Sequence, residues 1–171
     1  MRIRPALAAS SAAVLALFAT SGVPATAAPG PAVCAERVLT VRAAASPDVS
    51  DVVRISVTNQ GTRPCVVDRI PTVTFGDLDG AALAVPSAES APYRLGGGRS
   101  AYAAVRTLDP ASTELRPVDS LTVAGHPAHH GRTFDAASLG SPDRIRVWEP
   151  VTTWWHTTRA AADAVLAEHT S

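Results

Sequence analysis

The side chains with chemical capacity fall in three places. His126, His129 and His130 lie in one stretch, GHPAHHG, at residues 125–131. Imidazole is a ligand for zinc, copper or nickel and a proton carrier near neutral pH. Pro127 and the flanking glycines work against a helix that would align His126 with His129, and no carboxylate follows until Asp135. The three are metal candidates without the positioned partners that a tight site needs, so no metal and no cofactor is expected. Trp148, Trp154 and Trp155 stand within eight residues of one another. Exposed indoles stack on sugar rings or anchor a partner protein, which makes these three the candidate binding residues. Neighbours on a strand face opposite ways, so Trp154 and Trp155 cannot both be core on one strand. Cys34 and Cys65 are the only cysteines.

Other chemistries are excluded or weak. All 15 basic residues are Arg. Without Lys there is no Schiff base, no phosphate-loop lysine and no Ser–Lys nucleophile pair. Two Cys cannot build a thiolate zinc cage. No Gly-x-Ser-x-Gly elbow and no His-Glu-x-x-His occurs. Asp77 and Asp79 flank a Gly-rich turn, and turn chemistry accounts for them better than calcium does. No residue is assigned a catalytic role. Arg and the 15 acidic residues balance without a basic cluster, which argues against nucleic acid as a partner.

The elements that must position these residues begin after an address. Residues 1–27 carry Arg2 and Arg4, an apolar centre from Ala12 to Ala19 and a small-residue cleavage pattern at Ala25-Thr26-Ala27. This is the pattern of a secretory signal peptide, with an apolar centre too short to span a bilayer. The expectation is a secreted or envelope-associated chain, starting at Ala28 and without a stable membrane span. In an oxidising compartment two Cys pair. A Cys34–Cys65 bridge would contribute about 3.5–4 kcal/mol on the chain-entropy relation.

Short alternating runs fill residues 28–157. The clearest runs from Asp51 to Asn59, where Val53, Ile55 and Val57 face one side and Arg54, Ser56 and Thr58 the other. Leu39 with Val41, Ala101 with Ala103 and Val105, Leu121 with Val123, and Ile145 with Val147 repeat the pattern. Turn signals separate them, and residues 125–142 read as a long loop. About seven or eight strands with frequent turns point to an antiparallel β-sandwich. Residues 158–171 differ: they are Ala-rich and lack Pro and Gly. Thr158 is a natural N-cap. A short helix is expected, docked with Ala161, Ala162 and Val165 toward the sheet near Trp154 or Trp155, because so short a helix needs a tertiary partner.

From Val57 to Gly80 the chain runs VTNQGTRPCVVDRIPTVTFGDLDG. It resembles the actinobacterial secreted family known as domain of unknown function 4232. That family's pattern is a strand ending in Thr-Asn-x-Gly, a Cys, Gly-Tyr-Pro-x-Val-x-Leu, then an Asp-x-x-Gly turn. Thr58, Asn59, Gly61, Cys65, Pro71, Val73, Asp77 and Gly80 fall on it, while Arg69 and Ile70 replace its Gly and Tyr. Leu95 to Ser100, with Ala103, is similar to a further strand entry of the family without its Pro, and Cys34 fits an early Cys. The resemblance spans residues 33–150. A second Cys pair found in many members is missing, and the Trp-rich end and C-terminal helix lie outside the pattern. The resemblance implies an immunoglobulin-like sandwich, exported or envelope-attached, and supplies no catalytic residues.

The combined expectation is a non-catalytic binding module for an extracellular or envelope ligand. Its contact surface would be the Trp-rich stretch or the 125–142 loop. The alternatives are a small secreted hydrolase or metal-dependent enzyme using the loop histidines, and a structural envelope accessory protein.

Overall fold

The computed structural model describes residues 31–87, 91–141 and 144–170. The expected signal peptide at 1–27 lies outside the described residues. In chain order the strands are β1 Leu39–Ala45, β2 Val52–Asn59, β3 Cys65–Val67, β4 Thr72–Phe75, β5 Leu83–Val85 and β6 Tyr93–Leu95. They continue as β7 Ser100–Arg106, β8 Arg116–Val118, β9 Ser120–Ala124, β10 Arg132–Asp135, β11 Ile145–Val147 and β12 Val151–Thr153. One helix, α1 Arg159–His169, follows. The described chain is mostly β, with one short C-terminal helix. No helix among the described residues is long and apolar enough to cross a membrane.

The strong alternation in β2 makes it a central strand. It pairs antiparallel with β1, Val41 opposite Val57, and on its other side with β7, Ile55 opposite Ala103. With β12 and β5 these form a five-stranded sheet in the order β1-β2-β7-β12-β5, so β1 is an edge. Strands β10, β9 and β4 form a second sheet, and two strand pairs, β11 with β8 and β3 with β6, complete the set. Val53, Ile55 and Val57 meet Ala101, Ala103 and Val105, Val73 and Phe75, and Leu121 and Val123 in one buried cluster. Each set is every second residue of its strand, as the pleat requires.

The Thr-Asn-x-Gly signature is structural. Asn59 is fully buried. Its side-chain amide donates to the carbonyls of Arg63 (2.9 Å) and Leu95 (3.3 Å), and its Oδ1 accepts from the Gly61 N–H (2.9 Å). The Thr58 and Ser100 hydroxyls bond at 2.7 Å across β2 and β7. Cys34 and Cys65 are joined in a disulfide, Cα–Cα 4.9 Å. It ties the leading segment to β3, where the Cys34 N–H also donates to the Val66 carbonyl.

Three expectations are corrected. The described strands number twelve rather than seven or eight, because β6, β8 and β12 have three residues each, too few to display a period, and β10 lies in the stretch read as loop. The 125–142 stretch is not all loop: β10 pairs with β9, Phe134 opposite Leu121, and a 3-10 turn follows at Ala136–Leu139. The ladder with β9 decides this conformation, and Gly131 permits it. Gly131 has φ 75°, and a Cβ there would stand 2.7 Å from the Val123 carbonyl oxygen. Lastly, α1 does not cover the tryptophans. Ala162 and Leu166 bury against Val52 and Ala104, with Val85 and Val151 beside them, on the face of the five-stranded sheet away from the main cluster. Trp155 belongs to that main cluster. The small side chains of Ala104 and Ala162 offer the helix a closer seat than an indole would. The Thr158 hydroxyl caps the helix, accepting from the Ala161 N–H at 3.2 Å.

Candidate functional site

The histidine loop gains a carboxylate from far away in sequence. Glu36, on the 3-10 turn Glu36–Val38, accepts from the Gly131 N–H (2.7 Å) and the His130 N–H (3.3 Å). The Gly131 bond chiefly holds its carboxyl below the ordinary range; desolvation opposes this, and His130 and His129 add to it. The carboxylate is therefore engaged as a latch on the loop backbone. The His126 and His129 rings lie 5.4 Å apart and tilted, and His126 Nδ1 accepts from the Ala128 N–H. Among the described residues no three His, Cys, Asp or Glu side chains come together so as to hold a metal ion.

The three tryptophans go to three different places. Trp155 is 1% exposed and packs in the main cluster. Trp154 is half-buried beneath Arg69, whose guanidinium carbon stands 5.0 Å from that ring and 5.6 Å from the Tyr93 ring. Burial, then the Arg69 charge, holds the nearby His156 below its ordinary pKa. Trp148 is half-buried beside a cavity of about 280 Å³ shared with Phe75, Leu78, Arg116, Glu149 and Pro150. The indoles do not form one patch.

A larger concavity, about 780 Å³, runs along the free edge of β1. On β1 and β2 the odd-numbered residues Val41, Val53, Ile55 and Val57 fill the core, so their neighbours point to the face that carries α1. Arg42 stands opposite Ser56, and Ala44 opposite Arg54, on that face. Arg159 reaches the same space from the first turn of α1, and Arg132, Phe134 and Ser138 enter from the β10 side. Among the described residues, four arginines line the groove and no Asp or Glu does.

The charges there are unevenly matched. Arg54 pairs with Asp163 of α1 (3.0 Å) and Asp48 (3.3 Å). Arg132 lies over the Phe134 ring at 5.3 Å and Arg159 over the Tyr102 ring at 5.5 Å. Among the described residues neither these two nor Arg42 has a carboxylate within salt-bridge distance. Guanidinium stays charged under all relevant conditions and forks onto carboxylate or phosphate. Three such groups without a carboxylate partner, around one concavity, attract an anion. Thr40, Ser56 and Ser138 supply hydroxyls at its walls, and among the described residues that line it there is no His, Asp or Glu to activate one.

This groove was invisible as a motif. Its arginines lie at 42, 54, 132 and 159, on four elements, and only the fold brings them together. The one local signal was that Arg42 and Arg54 occupy polar positions of alternating strands.

The chain matches a family model described as Domain of unknown function (DUF4232) over residues 34–155. No curated protein and no solved structure matches it.

Proposed function

We propose, from the premise that the chain belongs to the DUF4232 family, that it is a non-catalytic binding module whose contact surface is the arginine-lined groove. The carrying observation is the groove's chemistry: three guanidinium groups without a carboxylate partner, wall hydroxyls and, among the described residues that line it, no His, Asp or Glu. Such a surface holds an anion and lacks the groups to break it down. Elsewhere Glu36 is engaged by the loop backbone, Asp119 by Arg144 and Asp51 by Arg146.

The finer architecture is an immunoglobulin-like sandwich. Inward residues of the five-stranded and three-stranded sheets share one cluster, which supports that reading. An exported or envelope-associated location rests on the signal-like residues 1–27 and on the disulfide, a bond typical of oxidising compartments. Trp148, beside its own cavity, is the indole best placed for a second contact.

Amide chemical-shift mapping tests the proposal. A short poly-glutamate and a neutral dextran are each titrated into the labelled protein at low salt. The expected result is saturable shifts at Arg42, Arg54, Arg132 and Arg159 with poly-glutamate only, and no cleavage of the probe. Shifts confined to the Trp148 cavity, or cleavage, would contradict it.

A further inference from the structure

We infer that the groove takes an extended acidic peptide that adds to β1 as a new edge strand; this rests on the groove being the contact surface. Among the described residues, β1 has β2 as its sole strand partner, and the outward backbone groups of residues 40–45 bond to no other segment. A row of free N–H and C=O groups is a template for another strand. The run Ala43-Ala44-Ala45 puts no bulky side chain in front of that row.

The arginines then set the chemistry of the added strand. A strand beside β1 alternates its side chains between the two faces of the sheet. On the α1 face, side chains from every second position meet Arg42, with Arg159 beyond, while Arg54 stays paired with Asp48 and Asp163. On the opposite face the intervening side chains meet Phe134 and Arg132 of β10. The matching ligand carries Asp or Glu at every second residue and apolar or aromatic side chains between. A folded anion or a small phosphate would engage the charges and leave the backbone row unused. Strand addition uses both.

The test is an N-methyl scan. A seven-residue peptide alternating Glu with Val or Phe is titrated into the intact chain, next to analogues each methylated at one backbone nitrogen. Dextran sulfate serves as a non-peptide anion. The expected result is binding mapped to the groove, abolished by methylation at one alternating set of amides and little changed by methylation at the other. Arg42→Ala and Arg159→Ala, on the face that receives the acidic side chains, should each weaken it about twofold to fivefold, the range of an exposed ion pair. Groove binding insensitive to methylation, or dextran sulfate binding there while the peptide does not, would overturn strand addition and leave the groove reading intact. If neither anion shifts the groove residues, both readings fail.

Discussion

Single residues carry the clearest energetic consequences. Asn59 saturates three backbone groups in a site with no access to water. Asn59→Ala strands those groups, and burying an unsatisfied polar group costs about 1–3 kcal/mol. Urea unfolding should therefore show a lower midpoint with an unchanged slope. Glu36 gives the pH dependence. Its carboxyl is held below its ordinary value of 4.5, chiefly by the Gly131 N–H. The folded chain thus takes up this proton less readily than the unfolded one, and the associated stability is full above 4.5 and is lost as pH falls through the lower folded value. The Gly131 amide signal should show a transition below pH 4.5 that Glu36→Gln removes. The pairing of Glu36 with residues 94 and 95 positions downstream had no trace in sequence. The turn role of Asn59 and Gly61 did, because Asn and Gly are the residues that tolerate such backbone.

Elements were legible in proportion to their length and to the contrast between their faces. β2 has eight residues with one buried and one polar face, and its alternation was plain. β10 has four residues, none fully buried, between Gly131 and a 3-10 turn, so nothing in its composition distinguished it from loop. For α1 the extent was legible from Ala content and the Thr158 cap. Its seat was not, because the valine and alanine surface it covers comes from β2, β7, β5 and β12. Deleting residues 158–171 should expose Val52, Ala104 and Val151 and promote self-association, measured by sedimentation. The emission of Trp155, on the other side of the sheet, should change little. A red shift comparable to unfolding would show that the helix shields the indoles after all.

At the scale of the whole molecule, a chain with balanced charge distributes it unevenly. The two carboxylates paired to Arg54 leave the other groove arginines to attract anions from solution. Such attraction is long-ranged at low salt and fades as the screening length shrinks. The groove exists only because β1 is an edge, because α1 folds back onto the sheet beside it, and because β10 flanks it from the second sheet. No local stretch of sequence encodes that meeting.

Calorimetric titration of an acidic heptapeptide, alternating Glu with Val, into the wild-type chain and into the triple variant Arg42→Ala, Arg132→Ala, Arg159→Ala tests the central claim most directly. The predicted result is saturable binding by the wild type that weakens steeply with added salt, and no measurable binding by a triple variant whose unfolding midpoint is unchanged. Equal affinity of the two chains, or no binding by the wild type at low salt, would contradict it.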